Sequence, residues 1–353
     1  MISSARIVGA GLIGTSIGLA LKSASVAVQM VDSDPAAAKL AADLVKSVDI
    51  AQPELIIVAV PIEVNQRTII EQLDANPNSI VCDLASVKSN LLLKIKELSA
   101  NSKNFVSLHP MAGREISGAT GARADLFAGR ACIGISDADL STKAKQIADQ
   151  LITLCGATGY WMSASEHDEI VAKISHLPQI LSSALAGQLI DIAENKLNLA
   201  GQGLRDITRL AQADSNLWSQ ILLSNNQALT PVLERLINDL QILQKSIAAN
   251  NSALTKDFLS KGKAGKDKIP GKHGAKAREY EYLPVVIDDK PGELARIFNE
   301  CAKIAVNIED LSIEHSPGQE TGLITLALSS TDCQKLSDHL NSVGFKVHPV
   351  KNR

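Results

Sequence analysis

Residues 6–14 read RIVGAGLIG, a short apolar strand that runs into three glycines with the spacing Gly-x-Gly-x-x-Gly. In a loop of this pattern, Gly9 permits a tight turn and Gly11 lets the backbone approach a pyrophosphate. Gly14 lets the following helix pack closely on the strand. The stretch therefore predicts a dinucleotide-binding loop, and a glycine turn without a ligand is the alternative.

A carboxylate in the next strand narrows the choice of nucleotide. Asp32 ends that strand, where a carboxylate can bind both ribose hydroxyls of NAD and repel the 2′-phosphate of NADP. Asp34 could share this contact, and Ser33 supplies no positive charge for a phosphate. We therefore expect NAD as the cofactor, with Leu12 and Ile13 opening the helix whose N–H groups face its phosphates.

Short apolar segments alternate with helical patterns as far as residue 162, which predicts an α/β domain with a Rossmann-like parallel sheet. The segments are 6–8, 26–31, 55–60, 79–82, 105–108 and 131–135. Ligands bind at the carboxyl ends of the strands in such sheets. Val60 and Pro61, which follow the third strand, should therefore flank the nicotinamide ribose.

The pattern changes near residue 163, where long helical stretches replace the strands. Apolar residues recur at helical spacing between Ile180 and Ile192 and again across 230–249. Helices this apolar pack against something large. Residues 163–259 are therefore predicted to form an all-α substrate and dimerisation domain, which makes a homodimer the expected assembly.

The last part of the chain is predicted to hold a linker and a small domain. Residues 260–279 mix basic residues with glycines and a proline, which is typical of a flexible solvated tether. A basic loop that folds over an anionic ligand is the alternative. Residues 280–353 follow the order βαββαβ, which predicts a ferredoxin-like α+β unit.

Composition disfavours several classes of function. The 353 residues carry a net charge of −3 and only 3% aromatic residues, which argues against binding to nucleic acid or a membrane surface. The five cysteines are scattered without a Cys-x-x-Cys, so neither a disulfide framework nor a metal site is expected. With no signal peptide and no apolar run of about 20 residues, the sequence predicts a soluble, cytoplasmic protein.

Two segments point to chemistry at the carboxyl edge of the sheet. Residues 105–113, FVSLHPMAG, deliver His109 to that edge, and Pro110 ends the strand. An imidazole placed there can accept a proton while the cofactor accepts a hydride. Ser86, in DLASVK after the fourth strand, could hydrogen-bond a substrate hydroxyl, and capping of the following helix is its alternative role.

A histidine in the helical part is a further candidate. His176 precedes Pro178, which should kink the helix, and its ring could face the cleft; a core or capping role is the alternative. His167 would face the opposite side of an ideal helix, so the two are not expected to bind a metal together. His167 is instead predicted to have a structural role near the helix start.

Arginines near a second helix start complete the candidate site. Arg205 and Arg209 follow a Gly-x-Gly in GQGLRDITR, and a guanidinium in a cleft suits bidentate binding of a carboxylate. The alternative is a weak surface ion pair, either between Arg205 and Asp214 or between Arg209 and Asp206.

Together these motifs resemble the prephenate dehydrogenase family of tyrosine biosynthesis. The resemblance rests on the glycine loop, DLASVK, HPMAG with the following Gly-x-Glu-x-Ser-Gly, SHLP and GLRDITR, in the family's order across about residues 5–250. It implies NAD-dependent oxidative decarboxylation of prephenate to 4-hydroxyphenylpyruvate and CO2. In this reaction His109 would take the proton of the ring hydroxyl.

The resemblance also implies roles for individual side chains. Ser86 would orient the hydroxyl and the nicotinamide, and Arg205 would bind a substrate carboxylate. Glu115 would help to gate or orient Arg205, while His176 would line the pocket. Many relatives have a second histidine where this chain has Gln179, close to the substrate. Prephenate is favoured over arogenate, which carries an amino group instead of the keto group.

The C-terminal unit resembles an ACT regulatory domain. Its first strand-to-helix loop would be formed by residues 288–294, DDKPGEL. In such domains this loop binds effector amino acids at domain interfaces, so Asp288, Pro291, Gly292 and Leu294 are the candidate regulatory residues. The resemblance implies that L-tyrosine binds here and lowers the activity.

Three competing interpretations stay open on the sequence alone. An arogenate dehydrogenase, which makes tyrosine directly, would use the same site. A β-hydroxyacid dehydrogenase would need a catalytic lysine, for which Lys173 is the candidate, and the context of His109 argues against it. A non-catalytic amino-acid sensor would depend on the ACT-like unit.

Overall fold

The computed structural model describes residues 2–113, 116, 118–137, 140–269, 280–314 and 320–352. The chain divides into two compact units, residues 1–251 and 252–353. The predicted nucleotide-binding part and residues 163–251 of the predicted helical part fall within the first of these units, so side chains from the two parts can meet in one site; residues 252–259, which were predicted to belong to the helical part, fall in the second unit.

A seven-stranded sheet forms the centre of the first unit, with the order β2-β1-β3-β4-β5-β6-β7. Strands β1 to β5 are parallel to one another. The strand order reverses at β1, so the carboxyl ends of β1 and β3 flank the point where doubly wound sheets bind ligands. The strands are β1 (Ser4–Val8), β2 (Ala27–Val31), β3 (Leu55–Val58), β4 (Ile80–Asp83), β5 (Phe105–Pro110), β6 (Ala131–Ile135) and β7 (Thr158–Met162).

The sheet departs from the prediction at its last two strands. The sequence pattern predicts an all-parallel sheet, but β6 runs antiparallel to β5, and β7, which the pattern did not predict, runs parallel to β6. A parallel β5–β6 pair would need a crossover helix. The described residues between these strands form only the short 3-10 turn Ala119–Gly121. Strand β7 was missed because it is a half-exposed edge strand without a continuous apolar run.

Helices cover both faces of this sheet, which explains its continuous apolar strands. Ile57 packs into the core on one face, and its neighbours Ile56 and Val58 pack into the core on the other, because successive strand residues point to opposite faces. The first core includes residues of α1 (Leu12–Ser23), α2 (Pro35–Val45) and α5 (Thr142–Leu154). The second includes residues of α3 (Ile62–Ala75) and α4 (Ser89–Leu98).

Residues 163–251 are helical and contain no strand, as the sequence predicts. The elements are α6 (Ala164–Val171), α7 (Leu177–Gly187), α8 (Glu194–Leu197), α9 (Gln202–Thr208), α10 (Ser215–Ser224) and the long α11 (Asn226–Ala248). Many large apolar side chains on these helices remain exposed in the single chain, including Ile237, Leu240, Ile242 and Ile247 on α11. Such a surface is typical of an interface with another protein.

A single π turn, Ala172–His176, joins α6 to α7. The predicted interruption of the helix therefore exists, since Pro178 lies in the first turn of α7 and cannot donate a backbone hydrogen bond. The π turn adds residues to the helix turn. It thereby changes the angular relation between His167 and His176 from that of an ideal helix.

The second unit contains the predicted ferredoxin-like arrangement, which is confirmed. Its sheet has the order β11-β8-β10-β9 with antiparallel neighbours, and β12 also pairs with β8. Apolar residues of the sheet and of the two helices that follow β8 and β10 form one core. The elements are β8 (Glu281–Asp288), α13 (Glu293–Lys303), β9 (Asp310–Glu314), β10 (Thr321–Leu328), α14 (Ser330–Ser342), β11 (Lys346–Val347) and β12 (Lys351–Asn352).

The predicted flexible linker, 260–279, is wrong for its first part. Helix α12 (Ser252–Asp267) continues through it, because strong helix formers such as lysine, alanine and leucine outweigh the cost of Gly262 and Gly265. Residues 270–279 of the predicted linker lie outside the described residues. Across the described ranges, no helix is both long and apolar enough to cross a membrane.

Candidate active site

The glycine loop between β1 and α1 has the geometry that the sequence predicts. Gly9 has φ +111°, and a Cβ there would lie 2.3 Å from the carbonyl oxygen of Ala59, while one at Gly14 would lie 2.1 Å from that of Gly9. Both positions therefore need glycine. A Cβ at Gly11 would meet no heavy atom within 4 Å, so the backbone at Gly11 is open to a ligand.

Asp32 is anchored beside this loop. Its Oδ2 accepts a hydrogen bond from the N–H of Ala10 (2.6 Å), and its Oδ1 accepts one from the N–H of Asp34 (2.8 Å). The side chain of Asp34 caps α2 by accepting from the N–H of Ala36. The carboxylate of Asp34 lies at the start of α2, whereas that of Asp32 lies directly against the glycine loop, so Asp32 is the better carboxylate for a ribose.

The segment after β3 lies against the same loop. The backbone nitrogen of Val60 would lie 3.2 Å from a Cβ at Gly9. Pro61 is the N-cap residue of α3 and is exposed. No side chain caps α1 at Gly11, and its first turn contains no acidic residue. The free N–H groups and the open backbone fit the pyrophosphate of a dinucleotide.

A buried chain of three side chains lies at the carboxyl end of β5. His109 Nδ1 is 2.8 Å from His167 Nε2, and His167 Nδ1 is 2.8 Å from Asp168 Oδ1. His167 is fully buried and His109 is 9% exposed. From its place near a helix start His167 was expected to have only a structural role, but its ring is in direct contact with the candidate base His109.

The hydrogen-bond partners order the protons along this chain. Asp168 can only accept, so His167 Nδ1 carries a proton and donates it. With both imidazoles neutral, His167 Nε2 then accepts from His109 Nδ1, and His109 Nε2 is left without a proton. Nε2 of His109 makes no hydrogen bond to the described part of the chain. The described side-chain atoms that are fully buried without a hydrogen-bond partner do not include it. His109 therefore presents an open proton acceptor.

Its surroundings keep His109 neutral. Burial lowers the pKa of His109 well below its usual value, and the positive charge of Lys88 and the rings of His167 and His176 lower it further, against the opposing effect of Asp168. A neutral ring at ordinary pH is the form that can act as a base.

Lys88 and Asp83 form a buried ion pair beneath the site. Lys88 Nζ lies 2.9 Å from Asp83 Oδ2 and 2.7 Å from the carbonyl oxygen of Leu108, and neither charged side chain is exposed. The hydroxyl of Ser107 donates to Asp83 Oδ1, and the N–H of Ala85 donates to Oδ2. These bonds join the ends of β4 and β5, so they fix the strand end that carries His109.

Asp168 also binds the helix that follows DLASVK. Its carboxylate accepts from the N–H groups of Lys88 (2.9 Å) and Ser89 (2.8 Å) at the start of α4. Burial acts to raise the pKa of Asp168, but the hydrogen bonds from His167, Ser89 and Lys88 outweigh it and lower the pKa. The helix is therefore capped by Asp168, so the alternative in which Ser86 caps it is wrong. Ser86 is half-buried.

His176 lies in the same buried region, on the π turn. It is 1% exposed, its Nδ1 is 3.1 Å from Asn225 Nδ2, and its ring packs edge-on against Trp218 at 6.1 Å between centroids. Burial lowers the pKa of His176 to about 4, while Asp168 opposes this shift. Sequence reasoning did not identify Asn225.

Gln179 and Arg205 differ in how far the fold engages them. Gln179 is buried, and its Nε2 donates to the carbonyl oxygen of Leu210 (2.8 Å), which ties α7 to the turn after α9. Arg205 is exposed and forms no ion pair with any described residue. Asp214 instead caps α10. The predicted alternative of an Arg205–Asp214 pair is therefore wrong, and the guanidinium is available to a ligand.

Two further residues named from the sequence are Glu115 and Lys173. Glu115 lies outside the described residues. Lys173, the candidate of the β-hydroxyacid alternative, is exposed on the π turn and makes no hydrogen bond to the histidine chain. In the ranges that the structure covers, no cluster of histidine, cysteine and carboxylate side chains could hold a metal ion.

A dinucleotide loop and a buried neutral histidine at one edge of a doubly wound sheet define a nucleotide-dependent dehydrogenase. The family model of the prephenate dehydrogenase nucleotide-binding domain matches residues 17–160, and that of the prephenate dehydrogenase dimerization domain matches residues 163–259. The chain belongs to the prephenate dehydrogenase family.

Related sequences align along most of the chain. The prephenate dehydrogenase of Lactococcus lactis is 31% identical over 82% of this chain and 84% of its own length. The probable prephenate dehydrogenase NovF of Streptomyces niveus is 29% identical over 96% of this chain and 97% of its own. The cyclohexadienyl dehydrogenase of Zymomonas mobilis is 30% identical over 69% of this chain and 88% of its own.

Solved structures share the fold. Prephenate dehydrogenase from Aquifex aeolicus, crystallised with hydroxyphenyl propionate and NAD+, superposes with a TM-score of 0.69 at 23% identity and covers 76% of this chain and 99% of its own. Synechocystis arogenate dehydrogenase gives a TM-score of 0.65 at 24% identity, over 75% of this chain and 99% of its own.

Proposed function

We propose that this chain is an NAD-dependent prephenate dehydrogenase, which makes 4-hydroxyphenylpyruvate and CO2 from prephenate on the route to L-tyrosine. The observation that carries the proposal is the buried chain from Asp168 through His167 to His109. That chain ends on a ring nitrogen that can accept a proton. Family membership supports the reaction class, and this arrangement supplies the base that the reaction needs.

His109 Nε2 takes the proton of the hydroxyl on ring C4 of prephenate as the hydrogen of C4 leaves as hydride. NAD, when bound, supplies the hydride acceptor. The new ketone is conjugated with the ring double bonds, and these adjoin the carbon that carries the carboxylate. CO2 therefore leaves, and the electron pair of the broken carbon–carbon bond moves through the ring to the ketone oxygen. His109 then returns the proton to the phenolate. The hydrogen bonds from His109 to His167 and on to Asp168 stabilise the charge on the ring in the meantime.

The choice of NAD rests on the loop geometry. Asp32, whose carboxylate accepts from the N–H of Ala10 beside the open backbone of Gly11, would accept hydrogen bonds from the ribose hydroxyls and repel a 2′-phosphate. Val60 and Pro61 would lie along the nicotinamide ribose.

Substrate binding is assigned to residues around the histidine chain. The exposed guanidinium of Arg205 suits a substrate carboxylate. Ser86 would orient the ring hydroxyl, and His176 and Gln179 would line the pocket. Glu115 keeps its predicted role in orienting Arg205. Arogenate is the alternative substrate, because it differs from prephenate only in having an amino group in place of the keto group of the side chain.

The helical part supports a homodimer. The exposed apolar side chains of α11, including Ile237 and Ile242, lie within the residues that match the family's dimerization domain. Light scattering on the purified protein tests this expectation, and a monomer at working concentration would contradict it.

The five cysteines are buried thiols, which suits the reducing cytoplasm that we propose as the compartment of this protein.

The second unit is proposed to be an ACT domain that binds L-tyrosine and lowers the activity. Its topology supports this, and so does the loop after β8, where Asp288 pairs with Lys290 (2.9 Å) and Gly292, at φ +97°, is the N-cap residue of α13. Pro291 and Leu294 complete the predicted contact set. Asp288→Asn should weaken inhibition by tyrosine and leave the uninhibited rate unchanged, with Asp338→Asn as control. Equal sensitivity in both variants would instead place tyrosine at the active site.

The function itself is tested by NADH formation with prephenate and with arogenate, each with NAD and with NADP. We expect turnover with prephenate and NAD and little with NADP. Turnover with arogenate alone would assign the alternative substrate. Tyrosine binding without NADH formation from either substrate would favour the amino-acid sensor.

A further inference from the structure

We infer that Asn225 is a positioning residue that fixes His176 with its proton on Nε2, so that His176 presents an N–H donor to the substrate. The inference rests on the proposed function, in which His176 lines the substrate pocket. It gives the two buried histidines of the site opposite tasks, since His109 accepts a proton and His176 donates a hydrogen bond.

Asn225 is itself held firmly. It is the single residue between α10 and α11 and is 3% exposed. Its backbone N–H donates to the carbonyl oxygen of Ile221 (3.2 Å), and its own carbonyl oxygen accepts from the N–H of Leu229 (3.0 Å). The side chain therefore leaves the helix junction in a fixed direction.

The orientation of the Asn225 amide follows from its partners. Nδ2 lies 2.9 Å from the backbone carbonyl oxygen of Asp168 and 3.1 Å from His176 Nδ1. A carbonyl oxygen can only accept, so the amide atom facing it must be the NH2 group. The same group has a second hydrogen for the ring nitrogen. His176 Nδ1 therefore accepts and carries no proton.

The proton of the neutral ring must then sit on Nε2. Burial lowers the pKa of His176 to about 4, so the ring is neutral at ordinary pH and has one N–H. Nε2 has no hydrogen-bond partner among the described residues, which leaves it for a ligand. Asp168 orders both histidines, His109 through its carboxylate and His176 through its backbone carbonyl.

A fixed N–H donor determines which groups of a substrate can bind to it. It binds an oxygen that accepts, such as a keto or carboxylate oxygen, and it cannot bind an ammonium group, which only donates. Because the tautomer is set in advance, no ring flip or proton shift is needed when the substrate arrives. A wrong tautomer would instead place a bare nitrogen against the substrate oxygen.

The tautomer can be observed directly. Long-range 1H–15N NMR spectra of protein labelled at histidine, with His176 assigned from the His176→Gln variant, should show Nε2 protonated and Nδ1 bare. In Asn225→Asp the new carboxylate only accepts, so the proton should move to Nδ1. A wild-type ring already protonated on Nδ1 would overturn the inference.

Kinetics tests whether the tautomer matters. Asn225→Asp should raise KM for prephenate roughly tenfold or more, since a bound oxygen loses its donor, and KM for NAD should not change. Asn226→Asp, the same change at the exposed neighbouring residue, should leave both constants as in the wild type. A moved proton with an unchanged KM for prephenate would contradict a role in substrate binding.

A second pair of variants applies if Asn225→Asp does not fold. The amide nitrogen of His176→Gln can reach the place of Nε2, whereas that of His176→Asn can reach only the place of Nδ1. We expect the glutamine variant to keep a KM closer to the wild type, and equal losses would overturn the inference. Lack of turnover by the wild type would refute the proposed function instead, while the NMR result would still report the tautomer.

Discussion

The glycine loop and the histidine chain both lie at the carboxyl edge of one sheet, but they are built in different ways. The loop works through backbone geometry within residues 9–14. The histidine chain joins His109 of β5 to His167 and Asp168 of α6. Asp168 also accepts a hydrogen bond from the start of helix α4. A local spacing can therefore define a backbone site, whereas a proton-accepting site depends on which distant side chains meet.

The largest effect should come from the base at the end of the histidine chain. His109→Asn removes the proton acceptor and should lower kcat by roughly 10²- to 10⁴-fold. Binding of NADH, followed by its fluorescence, should be unchanged because the glycine loop is untouched. His348→Asn, an exposed histidine of the second unit, is the control. Nearly full activity of His109→Asn would refute the assigned base.

The next effect should come from the residue that orders the chain. Asp168→Asn replaces a pure acceptor by a group that can also donate, which permits the wrong tautomer of His167. We expect kcat to fall roughly 100-fold, with a smaller change in KM for NAD. Asp43→Asn, an exposed change on α2, is the matched control. A kcat of Asp168→Asn equal to that of Asp43→Asn would show that Asp168 does not set the tautomer of His109 through His167.

Substitutions at two glycines test the role of the loop. Gly11→Ala fits the protein, because a Cβ there meets no atom within 4 Å. It should keep the melting temperature and raise KM for NAD roughly tenfold. Gly9→Ala should lower the melting temperature as well, because its Cβ would lie 2.3 Å from a carbonyl oxygen. Unchanged binding of NAD by Gly11→Ala would show that the cofactor does not approach there.

The smallest effect is the pH dependence of stability. The folded protein keeps His176 neutral down to a pKa of about 4, while the unfolded chain takes up a proton near 6.5. Stability is therefore full above about pH 6.5 and falls as the pH drops towards 4, because the unfolded state binds more protons there. We expect a drop of a few degrees in melting temperature, which His176→Gln should reduce. An equally steep fall of melting temperature with pH in His176→Gln would show that a group other than His176 causes it.

Sequence reasoning reached the parts of the site that depend on local pattern. The glycine loop, Asp32 and the placement of His109 at a strand end all follow from motifs within short windows. It did not find Asn225, because nothing in the sequence around it shows that the α10–α11 junction lies against α6 and the π turn. His167 was given a structural role because it lies near a helix start, and no local pattern shows that α6 brings its ring to the end of β5.

The same reasoning applies to the fold. Continuous apolar runs predicted β1 to β6, since both faces of the sheet are covered. The antiparallel direction of β6 depends on the connection before it, and the half-exposed β7 has no such run. The mixture of glycine and lysine in 260–267 was interpreted as a tether, although its helix formers continue α12.

The buried chain from Asp168 to His109 leaves His109 as a neutral base. The pH dependence of kcat/KM for prephenate measures this, since this ratio reports the ionisable groups of the free enzyme. We expect kcat/KM to rise with pH through an apparent pKa below the ordinary 6.5 of histidine, and we expect this rise to be absent from the residual activity of His109→Asn. The same rise surviving in His109→Asn would contradict it.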